Sequence, residues 1–214
     1  MPWVDEHYRT IAERDSRAIM GKSSGGFGAM ITPMLRPDLF GALATHAGDT
    51  LYELCYLPTF GKAARALRDY DITRWWADFR SRPAFSKQHD STLLTLFGVS
   101  ACFSSGVDAT PELPFDPRSG SPREPQWQRW LDWDPVRMVA RHADAVRSLR
   151  AVWIDAGTRD EWNLDLGAEA FRAELTKLEL PADTVYFELF DGTHAGIDYR
   201  YPMSLTWLAN RLAS

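Results

Sequence analysis

The residues best suited to chemistry form the run Gly21-Lys22-Ser23-Ser24-Gly25-Gly26. Its spacing is Gly-x-Ser-x-Gly, with a short apolar segment before it and a helical pattern after it. In that context a chain turns sharply from strand to helix and holds the central serine in a strained, outward-facing conformation. The helix N-terminus then favours negative charge developing on a carbonyl oxygen under attack. The chemistry is nucleophilic attack on a carbonyl, with Ser23 as nucleophile. A glycine-rich turn with incidental serines is the competing reading, and the strand and helix context makes it the weaker one.

A serine hydroxyl needs a base. Of the five histidines, His194 is the best placed, in the loop Asp191-Gly192-Thr193-His194-Ala195-Gly196 that follows the last strand pattern. His7 and His142 fall on helices. His46 ends the strand after the serine and fits a structural role better. His89 has no informative context. The base in turn needs a carboxylate to hold its tautomer. Asp160 lies in the loop after the strand that ends at Ile154, where sites built on sheets occur. Glu161 is its nearest competitor; Asp155 ends the strand itself, and Asp165 is nearer the next helix.

These groups need a sheet to carry them. Arg17–Met20, Leu39–His46, Ala151–Ile154 and Thr184–Phe190 read as strands. Helical spacing marks Val4–Arg14, a second helix that follows a glycine-rich turn at Gly21–Gly28 and ends around Pro33–Pro37, Gly167–Leu178, and a last helix with Ser204 as its cap. Asp134-Pro135 reads as a helix start, with Val136, Val139, Ala143 and Val146 following at helical spacing. Strands alternating with helices predict a mostly parallel sheet flanked by helices. From Asp49 to about Pro135 the pattern loosens. Helical pieces are predicted at Lys62–Tyr70 and Thr73–Arg80. Residues 111–135, with six of the 13 prolines, should be irregular. The expected organisation is a core of residues 1–50 and 130–214 with a cap-like insertion at 51–129. Trp75, Trp76, Phe79, Phe103, Trp127, Trp130 and Trp133 either line a pocket in that cap or form its core.

The whole composition narrows the classes further. The 214 residues carry a net charge of −5, so there is no cationic excess for nucleic acid. No apolar run reaches the roughly 20 residues of a membrane span, and the first residues lack a secretion signal, so a cytoplasmic protein is expected. Cys55 and Cys102 read as reduced thiols in or near the core, with a mutual disulfide as the alternative. No cofactor and no metal are called for.

The order Ser23, Asp160, His194, each after a successive strand, is that of α/β-hydrolases. Arg17–Met30 resembles the elbow of the putative-esterase family within that fold, which includes S-formylglutathione hydrolases, enterochelin esterases, feruloyl esterases and mycolyltransferases. Trp133-Asp134-Pro135, the run Trp153 to Glu161, Gly192-Thr193-His194 and Tyr199-Arg200-Tyr201 are similar to it as well. The likeness covers most of the chain and is weak between Leu51 and Gln128. It implies Ser23 as nucleophile, Asp160 as acid, His194 as base and the Ser24 N–H as an oxyanion donor. It implies a serine esterase acting on small-molecule esters through an acyl-enzyme; acyl transfer by the same triad is the close alternative. The sequence departs from the family before the elbow. The strands that usually precede it, and the loop giving a second oxyanion N–H, are absent, as in an N-terminally truncated member. The first strand is then expected to be an exposed apolar edge through which copies could associate. A catalytically impaired fragment is the reading from a different class.

Overall fold

The computed structural model describes residues 1–68 and 70–213. The chain divides into two compact units, Met1–Leu51 with Pro135–Ser214, and Tyr52–Asp134.

The first unit opens with helix α1 (Pro2–His7), strand β1 (Ala18–Ser23), helix α2 (Ser24–Leu35) and strand β2 (Ala42–Gly48). The second contains α3 (Tyr52–Cys55), α4 (Leu57–Ala66), α5 (Ile72–Ser81), α6 (Asp90–Phe103) and α7 (Gln126–Asp132). The first unit resumes with α8 (Pro135–Arg141), α9 (Ala143–Arg147), β3 (Ala151–Gly157), α10 (Leu164–Thr176), β4 (Val185–Phe190) and α11 (Arg200–Leu212). The four strands form one parallel sheet in the order β1-β2-β3-β4. β2 and β3 are buried along their whole length, as central parallel strands must be.

Alternation along the strands sorts the core into two faces. Ala42, Ala44, Ala151 and Trp153 pack with Leu208 of α11. The small alanines leave room for Trp153, which stacks on Tyr186 with ring centroids 3.8 Å apart. Residues of the opposite parity, among them Leu43 and Ile154, are equally buried. On that side α2, α8, α9 and α10 pack together.

Several expectations need correction. The predicted helix Val4–Arg14 is one short helix, Pro2–His7, and a 3₁₀ turn at Arg14–Ser16. Its apolar residues recur at helical spacing, but Val4, Tyr8 and Ile11 are all exposed, so nothing rewards a longer helix. The strand predicted at Arg17–Met20 runs on to Ser23, and no turn separates it from α2. The continuous helix expected after Pro135 breaks at His142 into α8 and α9. Ser204 is not a cap: α11 begins at Arg200, and Ser204 is fully buried within it. Cys55 is buried but Cys102 is exposed, and the two are not joined by a disulfide.

The second unit is more helical than its sequence pattern suggests. α6 lies where no element was expected, and α7 falls inside the proline-rich stretch. Asp69, within the predicted Lys62–Tyr70 helix, lies outside the described residues; the neighbouring helix α4 runs Leu57–Ala66. Trp75, Trp127 and Trp130 are buried with Tyr52, Phe60 and Phe115, so these tryptophans are core. Trp130 donates its indole N–H to Ser104 Oγ at 2.9 Å, and Trp75 donates to Asp90 at 3.1 Å. Trp133 is exposed, and Trp76, Phe79 and Phe103 are half-buried. No helix among the described residues is long and apolar enough to cross a membrane.

Candidate active site

Ser23 is the hinge between β1 and α2, with φ 56° and ψ −127°. A non-glycine residue there is strained, and the surroundings must over-determine it. They do so by close packing. A Cβ on Gly21 would stand 2.2 Å from the Gly25 carbonyl oxygen, and one on Gly26 would stand 2.6 Å from Gly48 Cα. Gly25 itself has open space around it. The glycines that permit the turn are therefore Gly21 and Gly26.

The loops that carry Asp160 and His194 are joined in the same way. A Cβ on Gly157 would stand 2.5 Å from the Gly192 carbonyl oxygen. That approach lets the Thr158 N–H donate to Phe190 O and the Arg159 N–H to Gly192 O, both at 2.9 Å. The loops after β3 and β4 thus run together past the strand ends and bring Asp160 and His194 side by side.

His194 Nδ1 is 2.8 Å from Asp160 Oδ2, and its Nε2 is 3.1 Å from Ser23 Oγ. With Nδ1–H given to the carboxylate, Nε2 is left to accept the serine hydrogen. The Asp160 side chain is completely buried, and its Oδ1 accepts the Trp162 N–H at 2.8 Å. The imidazole is partly exposed. Ser24 is the first residue of α2, so its N–H belongs to the helix end that no helical carbonyl satisfies. No group of three or more His, Cys, Asp or Glu side chains suited to a metal is found among the described residues.

The other candidates take different places. Glu161 accepts the His194 backbone N–H at 3.0 Å. Its carboxyl is held below the usual range by its own N–H and by that of His194. Asp155 is fully buried and binds His46 Nδ1 at 2.7 Å, the Trp153 indole N–H at 2.8 Å and Arg200 Nε at 2.9 Å. His46 Nε2 lies 2.9 Å from Ser204 Oγ. Asp155, His46 and Ser204 therefore repeat the Asp-His-Ser pattern where every member is sealed from solvent. Asp165 sits in the first turn of α10.

One residue of the site was missed in the sequence. Asp49 is buried and lies against Ser23 and Ser24. Its Oδ2 accepts the Ser24 hydroxyl at 2.8 Å, its Oδ1 is 3.3 Å from Ser23 Oγ, and its N–H donates to Ser23 O at 3.2 Å. A register shift puts it there. Lys22 pairs with His46 but Ser23 pairs with Gly48, which leaves Ala47 as an extra residue at φ 44°.

Comparison with known proteins agrees with this architecture. The chain is 31% identical over 81 residues to Esterase Rv1288 of Mycobacterium tuberculosis strain H37Rv, a match covering 38% of this chain and 15% of that protein. It is similar in structure to a ferulic acid esterase at TM-score 0.54 and 17% identity, over 100% of this chain and 58% of that one. It is similar to the S-formylglutathione hydrolase FrmB of Staphylococcus aureus at TM-score 0.50 and 16% identity, over 98% of this chain and 60% of that one. At such identities the likeness shows the α/β-hydrolase fold, and the chain spans less than two thirds of each relative. The family model described as "Putative esterase" matches residues 1–204, and the chain belongs to that family.

Proposed function

We propose that this chain is a serine carboxylic-ester hydrolase acting on small-molecule esters, with Ser23 as nucleophile, His194 as base and Asp160 as its orienting acid. The observation that carries the reading is the line of contacts Asp160–His194–Ser23, at 2.8 and 3.1 Å. In the first step Ser23 Oγ bonds to the ester carbonyl carbon while its proton passes to His194 Nε2. The carbonyl oxygen becomes an oxyanion, which the Ser24 N–H and the positive end of α2 stabilise. Asp160 stabilises the imidazolium without taking its proton. The intermediate collapses as the bond to the leaving oxygen breaks, and His194 returns the proton to that oxygen. Water then repeats the sequence, giving its proton to His194 and its oxygen to the acyl carbon. Ser23 recovers the proton and the acid is released.

A fluorophosphonate probe followed by peptide mapping tests the reading. Ser23 should carry the label, and Ser23→Ala should abolish both labelling and p-nitrophenyl acetate hydrolysis while the chain stays folded. Label on another serine, or a Ser23→Ala variant that keeps most of the parent rate, would overturn it.

A further inference from the structure

The parallel sheet ends on β1, and that edge is open. The Gly41 N–H donates to Arg17 O at 3.0 Å and the Asp49 N–H to Ser23 O at 3.2 Å. The odd-numbered residues of β1 therefore turn their backbone groups towards β2. Alternation along the strand turns those of Ala18, Met20 and Lys22 the other way, where the sheet has no further strand. Among the described residues nothing pairs with these three N–H and three C=O groups.

The same edge is apolar. Met20 and Leu212 pack against the cluster of Ala42, Ala44 and Trp153 and are only half-buried. A groove between β1 and α11 is lined by Ala18, Met20, Leu205, Leu208 and Leu212 and bounded by Ile11. Leu205 is 53% exposed and Ile11 66%, so the groove lacks a cover. The other edge of the sheet is different. The groove beside β4 includes Arg172 and Glu179, and charged side chains discourage strand pairing.

The edge is complementary to itself. Its open groups are centred on Met20. Antiparallel pairing of two copies about a two-fold axis there sets Met20 opposite Met20 and Ala18 opposite Lys22, and every open N–H and C=O finds a partner. Ile19 then faces Gly21 of the other copy, which has no side chain to obstruct it. The axis keeps both α11 helices on one face, so the two apolar grooves adjoin and cover each other. Charge selects this direction over the parallel one. Glu13 leads into β1 and Lys22 lies near its end, and among the described residues neither has an ion-pair partner. Antiparallel pairing brings each Lys22 to the end of the strand nearest the other copy's Glu13. Parallel pairing would set Lys22 against Lys22, and like charges directly opposite are destabilising.

We infer that the edge of β1 is a homodimer interface, at which two copies of this chain pair β1 with β1, antiparallel about Met20, and join their two sheets into one.

Light scattering on the full chain at micromolar concentration should give twice the chain mass. The register is tested with cysteines in a Cys102→Ser background, which removes the exposed thiol. Directly opposed Met20 residues stand about 5.5 Å apart at Cα, within the range of a disulfide, so Met20→Cys should form a reducible covalent dimer under mild oxidation. Two Ile19 residues would be about 8 Å apart, beyond that range, so Ile19→Cys should stay unlinked. Leu205→Glu, on an exposed position, should raise the dissociation constant about tenfold or more, because it places a charge in the joined groove. A monomeric parent, or an assembly larger than two, overturns the proposal. So does a dimer that Leu205→Glu leaves unchanged, one that Met20→Cys fails to link, or one that Ile19→Cys links equally well. The parent mass and Leu205→Glu decide the matter even if a cysteine in β1 impairs folding.

Discussion

Gly157 and Gly192 touch backbone to backbone, with no room for a methyl group between them. Gly157 closes β3 and Gly192 opens the loop that carries His194, so the contact sets the distance from Asp160 to His194. Gly157→Ala should therefore push the loops apart. Overpacking of this kind costs ~1–3 kcal/mol. A displacement near 1 Å costs ~10²-fold in rate. The expected result is a modest loss of Tm with a much larger loss of p-nitrophenyl acetate turnover. Equal and small losses in both would show that the glycine contact does not set the site.

Asp160 and Glu161 are adjacent carboxylates with separable duties. Asp160 touches the imidazole ring, whereas Glu161 touches only the His194 backbone and is itself exposed. Asp160→Asn should lower kcat by about 10⁴, the loss seen when the equivalent carboxylate is neutralised in a serine protease. Glu161→Gln should lower it by less than about tenfold, because an exposed hydrogen bond to a backbone N–H contributes only ~1 kcal/mol. Steady-state kinetics on the two variants decides the assignment, and a larger loss from Glu161→Gln would reverse it.

The buried group around Asp155 should govern folding. Asp155→Asn leaves Arg200, which is 3% exposed, with Glu188 as its remaining anionic partner at the sheet. Breaking a buried ion pair on one side costs ~3–5 kcal/mol. Urea denaturation should show that loss, while the folded fraction keeps its fluorophosphonate labelling at Ser23. Ser204→Ala should likewise leave labelling unchanged, because Ser204 is sealed from the probe. Loss of labelling in Ser204→Ala with the fold intact would mean that the second Asp-His-Ser set has chemistry of its own.

Asp90 should make the Tyr52–Asp134 unit sensitive to acid. Asp90 accepts from both terminal nitrogens of Arg82 at 2.7 Å, and also from the Lys87 N–H and the Trp75 indole. The Arg82 hydrogen bonds, foremost, hold its carboxyl well below the usual range. Because the folded form resists protonation, this stabilisation is complete above the ordinary Asp range near pH ~4 and is lost as pH falls below it. Tryptophan fluorescence should report an acid transition of this unit below about pH 4. Asp90→Asn should be less stable at neutral pH and should lack that part of the acid dependence. An acid transition of the same size in the variant would place the sensor elsewhere.

How far the sequence speaks depends on what kind of fact is asked of it. Gly21 must be small for a local reason, since the Gly25 backbone lies against it, so the turn from strand to helix is readable from six residues. β2, β3 and β4 are short apolar runs between helical patterns, and a parallel sheet follows from that alternation. The failures have separate causes. α6 is apolar on all sides rather than along one stripe, so it gives no helical period to detect. α1 has the period but no partner surface. Ser204 has the right side chain to cap a helix, yet its hydroxyl faces His46 because the helix starts a turn earlier. Asp49 is invisible for a subtler reason. By strand alternation alone its position relative to Ser23 follows from a regular β2, and β2 is not regular.

That irregularity at Ala47 has a consequence for how such sites diverge. Asp49 meets Ser23 because of residue count, not residue type. An in-frame loss of one codon between His46 and Asp49 would erase the bulge, and the period of two in a strand would turn the carboxylate to the opposite side of the sheet. Every chemistry-bearing residue would still be present, in the same order. Two relatives could thus share every motif that aligns and differ in what stands beside Ser23, with the cause recorded only as a single gap.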